Sequence, residues 1–489
     1  MKIKLIAPAR KPEWGESFWD FKTLCKLTGR KAGGAPLALP TLASLTPSDA
    51  EVVLTDENIE SIDFEEKVDL VGITGMTCVI PRSYEIADEY RKRGVPVVMG
   101  GIHVSMLPEE AIQHSDSVVI GEAEEIWKQV VSDAQKKKLE KFYRAPRFPD
   151  LTNAPIPRWD LLKFTSYPIF PIQTGRGCPY DCDFCSVKVF NGRQYRHKKI
   201  NRVLEEIDIL RNLERKKTFF FVDDNILALR NYAREFFYKL PPYKVKWWAQ
   251  ASVSGLEDEE MLDLMYQAGC REIFIGFESV SQKSLDSMGK SKINRVEEYK
   301  RIIDKVHSHG IAVFASFIFA SDNDDKDIFE TTSRFINENN IAFSMINILT
   351  PSPGTSLYQT LEKEHRLISK EWWRFNGEYV CFKTKMAKEY IYRNRDALLN
   401  SIYSYDNIFR RLYKLWDQGV LVRDKRIRKL FTKGRIIFTL KIIFNITIPK
   451  KIKIMILKSL WQHKEVSIMP VLFALNFYDY AYNLNTRKQ

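Results

Sequence analysis

The sequence predicts an α/β protein with three parts. They are an N-terminal doubly wound parallel, Rossmann-like domain, a (β/α)6 partial TIM barrel, and a helical, basic C-terminal region. Short apolar runs alternate with helical segments through most of the chain, polar residues follow the runs, and positive charge gathers in the tail. We expect the N-terminal domain at residues 1–147, a proline-containing linker at 148–167, the barrel at 168–385 and the C-terminal region at 386–489.

Five apolar runs predict the strands of the first domain: KIKLIAPA, EVVLTD, DLVGITGMT, VPVVMGG and SVVIGE. Buried parallel strands have this continuous apolar character, and their sheets bind ligands beyond the carboxyl ends of the strands. Glycines at those ends would let a ligand approach the backbone closely. Such stretches are Thr74-Gly75-Met76-Thr77, Gly100-Gly101-Ile102-His103 and Gly121-Glu122. Any one of them alone is better explained as a tight strand-to-helix turn.

Six further runs after the linker predict the barrel strands: PIFPIQTG, TFFFVDD, VKWWAQAS, EIFIGFES, IAVFASFIFA and AFSMINIL. Barrel enzymes place their chemistry at the carboxyl ends of the strands. Polar residues follow four of these runs in order, which favours a site there. They are Asp223-Asp224-Asn225, Gln250 with Ser252, Glu278-Ser279, and the stretch from Thr350 to Thr355.

Cys178, Cys182 and Cys185 form a C-x3-C-x2-C motif directly after Gly175-Arg176-Gly177. Seven cysteines in 489 residues are too few for a disulfide framework, and the N-terminus lacks a secretory pattern, so we expect a reducing cytoplasm. Thiolates suit zinc, copper(I) or an iron–sulfur cluster. A zinc site would need a distant fourth ligand from Cys25, Cys78, Cys270, Cys381 or His197, whereas three cysteines on a cubane leave one iron open. The spacing alone leaves both alternatives open.

The motif with Phe184 before the last cysteine resembles that of the radical S-adenosylmethionine (SAM) enzymes. The resemblance implies a 4Fe-4S cluster on the three cysteines, chelated at its open iron by SAM, with Gly175 and Gly177 closing the backbone around it and Arg176 orienting it. Asp223 and Asp224 stand where that family has a Gly-Gly-Glu-like stretch. The implied SAM contacts are Phe184, Asp223, Asp224, Gln250, Ser252, Glu278 and Ser279.

The N-terminal segment "DLVGITGMTCVIPRSYEIADEYRKRGVPVVMGGIHVSMLPEEA", followed by "SVVIGEAEEIW", resembles the cobalamin-binding domain that precedes the barrel in one class of these enzymes. The Asp-x-His-x-x-Gly motif of many cobalamin proteins is absent from the sequence, so His103 is interpreted as a loop residue near the cofactor rather than a cobalt ligand. The implied cobalamin contacts are Thr74, Gly75, Met76, Thr77, Gly100, Gly101, His103, Gly121 and Glu122.

These resemblances imply reductive cleavage of SAM, hydrogen abstraction from an unactivated carbon, and C-methylation of a lipid or other apolar metabolite. The stretch "VFNGRQYRHKKINRVLEEI" resembles a subgroup that includes hopanoid and archaeal-lipid modifying members, and there Arg193, Arg196 and His197 are either substrate or cofactor contacts or a solvated basic turn. The expected partners are that substrate and an electron donor such as flavodoxin or ferredoxin. The alternatives are a radical SAM reaction without methyl transfer (cyclisation, ring rearrangement or RNA modification), and a non-enzymatic, zinc- or cluster-stabilised, membrane-associated binding protein.

The positive charge lies in the tail, where residues 410–464 contain 16 Lys and Arg against two acidic residues. The mixture of Ile, Leu and Phe with Lys is typical of a helix at the interface of an anionic membrane, and equally of a helix packed on the barrel. RNA is the third possibility. A nucleic-acid partner is not expected, because the N-terminal domain lacks a second cysteine triad. We therefore expect a cytoplasmic protein with a peripheral contact to the inner face of the membrane.

Overall fold

Two six-stranded parallel sheets form the framework of the protein. The computed structural model describes residues 1–214, 218–421, 450, 453–454, 457 and 469–486. The first sheet has the strand order β2-β1-β3-β4-β5-β6 and is parallel throughout. Its strands are β1 (Lys2–Ala7), β2 (Glu51–Asp56), β3 (Leu70–Thr74), β4 (Val97–Gly100), β5 (Ser117–Ile120) and β6 (Phe142–Arg144).

Helices cover both faces of this sheet, which confirms the doubly wound prediction. Leu39 and Trp127 pack on one face, and Tyr84 and Ile86 pack on the other. The helices of this part are α1 (Lys22–Thr28), α2 (Ala38–Leu45), α3 (Ile80–Lys92), α4 (Ile102–Met106), α5 (Pro108–Ala111) and α6 (Trp127–Gln135). The sequence analysis missed β6, since a three-residue edge strand with charged neighbours carries a weak apolar signal.

The second sheet has its strands in chain order, as a partial barrel requires, and all its pairings are parallel. They are β7 (Phe170–Ile172), β10 (Thr218–Phe221), β11 (Lys246–Ala251), β12 (Cys270–Glu278), β13 (Ala312–Phe319) and β14 (Phe343–Ile348). Two short strands, β8 (Gly175–Arg176) and β9 (Arg196–His197), form a separate antiparallel hairpin.

Helices follow the barrel strands and bury the outer face of the sheet. They are α7 (Val187–Phe190), α8 (Ile200–Glu214), α9 (Arg230–Lys239), α10 (Glu259–Gln267), α11 (Gln282–Ser287), α12 (Tyr299–Ser308), α13 (Ile328–Glu338) and α14 (Ser356–Lys363). Three further helices of the described chain are α15 (Lys388–Ile402), α16 (Tyr405–Asp417) and α17 (Met469–Thr486).

The barrel is closed by segments from both ends of the chain. Phe18 and Phe21, which precede α1, belong to the barrel core together with Phe477 of α17. The Tyr403 hydroxyl is hydrogen-bonded to the backbone of Ser344 on the edge strand β14, which satisfies polar groups that an edge leaves open. The N-terminal segment therefore contributes to the barrel core, although the sequence boundary assigns it to the first domain.

The C-terminal helix is held by specific polar contacts. Asp479 accepts a hydrogen bond from the Thr23 hydroxyl at 2.7 Å, and Asn476 accepts one from the backbone of Leu24 at 3.1 Å. Most of the basic, apolar segment expected at a membrane interface lies outside the described residues. Among the described helices, none combines the length and the apolar character needed to cross a bilayer.

Candidate active site

The loop that carries the three cysteines, which we call the cluster loop, spans residues 177–195 between β8 and β9. The hairpin formed by these two strands holds the ends of the loop together. Gly177 has φ of +96°, and a Cβ at this position would collide with the carbonyl oxygen of Gln194. A Cβ on Gly175 would collide with the ring of Tyr195. Both glycines are therefore required for the close approach of the two strands.

The three thiols form a donor set that fits a cubane cluster. All are free cysteines, and burial raises the pKa of each, that of Cys185 to about 12. Within the described ranges, no group of three or more His, Cys, Asp or Glu side chains converges on one ion. Three thiolates are a donor set that suits an iron–sulfur cluster, in which each cysteine binds a different iron.

Asp223 is the buried anchor of the cluster loop rather than an open cofactor contact. Its carboxylate accepts hydrogen bonds from the backbone of Thr174 and Gly175, the Thr174 hydroxyl and the Tyr195 hydroxyl, at 2.6 to 3.1 Å. Its neighbour Asp224 accepts one hydrogen bond, from the Gly177 backbone at 3.1 Å. Of these two aspartates, Asp224 is the one whose carboxylate can still accept hydrogen bonds from a cofactor.

The carboxyl end of β12 places a buried ion pair beside the cluster loop. Glu278 has φ of +64° and pairs with Lys290 at 2.6 Å. The Lys290 ammonium also donates to the Gly276 carbonyl and lies 6.0 Å from the centre of the Phe184 ring. A non-glycine residue in the left-handed region stores strain, which is typical of functional positions. The sequence analysis did not assign a role to Lys290. In the sequence this residue is marked by the Gly289-Lys290 pair, which follows the predicted SAM contacts Glu278 and Ser279.

The remaining predicted SAM residues lie on neighbouring strand ends. Gln250 faces the barrel interior on β11, since it pairs with the inward-facing Phe274. The Ser252 hydroxyl is in contact with Asn225 and Ser254 just beyond β11. Ser279 accepts a hydrogen bond from the backbone of Ser281 and shapes the turn after β12.

A cavity of about 480 Å³ lies at the carboxyl edge of the first sheet. Gly101 has φ of +104°, and a Cβ there would contact the Thr74 hydroxyl at 2.9 Å, so only glycine leaves this wall open. The predicted cobalamin contacts that line the cavity are Thr74, Met76, Gly100, Gly101, Gly121 and Glu122. This glycine-lined cradle fits the expected cofactor.

Three predicted cobalamin contacts lie away from the cavity lining. His103 is fully buried on α4, where its ring nitrogens face the Thr77 hydroxyl and the Glu110 carboxylate at 3.3 and 3.4 Å. A Cβ on Gly75 would collide with Ile80, so this residue serves the packing of α3. His103 belongs to the packed interior because its polar atoms are already satisfied there, which corrects its interpretation as a loop residue.

The cavity and the cluster loop are joined by a buried charge network, which we call the Glu122 bridge: Glu122, Glu124, Arg176 and Arg196. Glu122 contacts Arg176 at 2.6 Å and is also paired with Arg196 on β9, while Glu124 pairs with Arg176 at 2.6 Å. Arg176 also lines the cavity, together with Phe190 and Asn191 after the cysteines. Residues of the cluster loop and its hairpin therefore form part of the cavity wall.

The basic residues after the cysteines have different surroundings. Arg196 is held by Glu122, as described. Arg193 is exposed and contacts Asp181 at 3.3 Å. The His197 ring packs on Tyr232, with ring centres 4.2 Å apart. Arg196 is thus tied to the cavity side of the site, and Arg193 contacts Asp181 within the cluster loop. His197 belongs to the hairpin that holds this loop.

Comparisons with known proteins agree with this architecture. The Radical SAM superfamily model matches residues 172–336, the B12 binding domain model matches 35–131, and a domain of unknown function (DUF4070) matches 355–473. A bacteriochlorophyllide d C-8(2)-methyltransferase of Chlorobaculum tepidum is 30% identical over 400 residues, covering 75% of this chain and 88% of that protein. A hopanoid C-2 methylase of Rhodopseudomonas palustris is 27% identical, covering 73% and 70%.

Among solved structures, the radical SAM methyltransferase TsrM from Kitasatospora setae, with cobalamin and a 4Fe-4S cluster bound, superposes with a TM-score of 0.62 and 13% identity over 99% of both chains. The fold and the site thus define a radical SAM enzyme that carries a B12-binding domain. The chain belongs to the cobalamin-dependent radical SAM methyltransferases. This confirms the predicted fold class and the predicted cofactors, a 4Fe-4S cluster, SAM and cobalamin.

Proposed function

We propose that the protein methylates an unactivated carbon of a lipid or other apolar metabolite. The observation that carries this proposal is the shared wall of the two sites: Arg176, Phe190 and Asn191 of the cluster-loop region line the cavity of the B12-binding domain. A substrate held at this junction would face both cofactors. Relatives named for a hopanoid and for a bacteriochlorophyllide support a large, predominantly apolar acceptor.

The chain's own residues would bind and position the reactants. Cys178, Cys182 and Cys185 would hold the cluster, while Asp224, Glu278 and Lys290 would surround the SAM molecule at the strand ends. When bound, the reduced cluster would supply the electron that cleaves SAM to a 5′-deoxyadenosyl radical, and cobalamin would supply the methyl group. Burial of Lys290 and Glu278 beside the loop would exclude water from this reaction.

The cluster is tested by anaerobic purification followed by iron and cobalt analysis, visible spectroscopy and an assay for 5′-deoxyadenosine. We expect about four irons per chain, corrin absorption bands and SAM cleavage. Each of C178A, C182A and C185A should lose iron and cleavage, while C78A, which removes a thiol outside the loop, should retain both. Zinc without iron, or cleavage that survives in the loop variants, would overturn the proposal.

Methyl transfer is tested with methyl-labelled SAM and an apolar extract of cells as acceptor. We expect label in an extracted product, in an amount that depends on added cobalamin. SAM cleavage without labelled product at saturating cobalamin would instead support a radical reaction that transfers no methyl group.

The proposed function also requires an electron donor, for which we infer a flavodoxin or ferredoxin.

Contact with the membrane that holds a lipid substrate would also benefit the proposed function. The 16 basic residues among positions 410–464 support attraction to anionic lipid. Flotation with liposomes should recover the full chain and lose a variant in which the Lys and Arg residues of 422–464 are replaced by Gln, a change that keeps α17 and its contacts with the barrel. Equal recovery of both would contradict the membrane contact.

A further inference from the structure

The inner face of the barrel is more exposed than its outer face along β10 and β11. The inward-facing side chains are partly accessible: Phe220, Trp248 and Gln250. Their outward-facing neighbours are at most 1% exposed: Phe219, Phe221, Trp247 and Ala249. The inner face of these two strands is therefore partly open, and we call this partly open face the channel.

Aromatic rings form the walls of this channel. Phe220 and Trp248 stack with ring centres 3.9 Å apart. Trp19, from the N-terminal segment, leaves 40% of its surface exposed and lies 6.4 Å from the ring of Phe274. Such surfaces bury extended apolar molecules at low entropic cost.

Glu272 lies on the neighbouring strand β12, beside the channel. It pairs in register with Trp248, so its side chain faces inward on β12. Its Oε1 atom is buried and has no hydrogen-bond partner in the part of the chain that the structure describes. Burial raises the pKa of this carboxyl to about 8. A buried carboxyl without a partner costs stability, and such groups in native proteins call for a functional explanation.

Glu272 and Glu278 lie towards opposite ends of β12. Glu272 precedes Glu278 by six positions on the same strand, and an extended chain of this length rises by about 20 Å. Glu278 and its partner Lys290 lie at the cluster end. Glu272 therefore lies about 20 Å from the position where hydrogen abstraction is proposed.

We propose that this channel binds the substrate and that Glu272 determines specificity by pairing with a hydrogen-bond donor group of the substrate, such as a hydroxyl. The substrate class is an elongated, predominantly apolar molecule whose polar group lies about 20 Å from the carbon that reacts. This inference rests on the proposed function and adds the acceptor's shape and polarity to it.

The test uses the reconstituted full chain and two probes that differ in one hydroxyl, pyrene-dodecanol and dodecylpyrene. Energy transfer from the channel tryptophans to pyrene reports binding. We expect the wild type to bind the alcohol about tenfold more tightly, the range of a hydrogen bond to a carboxyl. E272L should lose this preference while binding the hydrocarbon at least as tightly as the wild type. E338L, which changes an exposed glutamate on the outer helix α13, should keep the preference.

Equal binding of the two probes by the wild type, or a preference that persists in E272L, would overturn the role of Glu272. Absence of energy transfer with both probes would overturn the channel. SAM cleavage is measured on the same preparations: intact cleavage with a failed probe test removes only this inference, whereas absent cleavage in the wild type removes the proposed function.

E272L should also unfold at a higher temperature, because it removes a buried carboxyl without a partner.

Discussion

Asp223 and Asp224 are adjacent in the sequence but have opposite surroundings. Asp223 is fully enclosed and accepts four hydrogen bonds from the cluster-loop region, while Asp224 accepts one and is partly accessible. At the end of a strand, one side chain can be enclosed while the next is accessible, because successive side chains point to opposite sides. One aspartate therefore supports the loop, and the next one remains available to a cofactor.

This contrast predicts different defects in two variants. D223A should lower the free energy of unfolding by about 4 kcal/mol, because it leaves several buried donors without acceptors. D224N should change stability by less than about 1 kcal/mol but reduce SAM cleavage. Urea unfolding and the 5′-deoxyadenosine assay separate the two effects. If D223A proved as stable as the wild type, the hydrogen bonds of Asp223 would not hold the loop.

Burial lowers the pKa of His307 on α12 to about 4, and its Nε2 atom has no partner among the described residues. The unfolded chain has a pKa of about 6.5 at this position and binds the proton more readily, so stability falls as the pH decreases through this window. We expect His307 to cost about 2 kcal/mol at pH 5 relative to pH 7.5. Urea midpoints should show this loss in the wild type and in H365N, an exposed control, but a smaller loss in H307L.

At the scale of elements, the hairpin β8–β9 determines the shape of the cluster loop. Only two residue pairs join its strands, Gly175 with His197 and Arg176 with Arg196. Such a short ladder is marginal alone, and the buried charges of the Glu122 bridge together with Asp223 hold it in place. The geometry of the cysteine loop thus depends on contacts from two distant elements.

We expect G177A to damage this element, because a Cβ would meet the backbone of Gln194 in addition to the strain of a positive φ. The iron content after reconstitution should fall severalfold. Gly94 also has a positive φ, of +73°, but has open space around it, so G94A should cost about 1 kcal/mol of stability and retain full iron. Equal iron contents in the two variants would show that the close approach of the strands is not required.

At the scale of the whole molecule, two of the contacts between the B12-binding part and the barrel involve predicted cobalamin contacts. On one side, Glu122 of the first sheet is bound by Arg176 and Arg196. On the other side, the Trp372 indole donates to Glu110 at 2.8 Å, and its ring packs on His103. The buried His103 thus serves the contact between the two parts instead of the cofactor.

E122A would leave two largely buried arginines without their carboxylate. We expect a loss of about 3 kcal/mol or more in stability and weaker cobalamin binding, measured by calorimetry and by titration of the visible spectrum. E125A removes a neighbouring glutamate whose partner, Arg147, is exposed, and should change both values little. A cobalamin affinity unchanged in E122A would contradict the link between the bridge and the cavity.

The sequence analysis predicted the elements that depend on local signals. The strands of both sheets appeared as apolar runs, and the cysteine spacing with its flanking glycines indicated the cluster loop. It missed β6 and the hairpin, whose short strands have no periodicity to detect. The family resemblance also assigned Asp223, Glu122 and His103 to cofactors. The structure shows that each has protein partners for its polar atoms, and that Glu122 lines the cavity as well.

The sequence by itself determined the family and the order of the two sheets, and it predicts the cluster ligands, because these follow from residue type, spacing and periodicity along the chain. Only the tertiary structure decided which polar residues remain free for ligands, since that depends on partners hundreds of positions away, such as Trp372 for Glu110 and Arg176 for Glu122. The partly open inner face of β10 and β11 belongs to the second group, as does the buried Oε1 of Glu272, which has no hydrogen-bond partner among the described residues. Whether an inward-facing side chain meets another side chain or open space is decided by packing across the whole barrel.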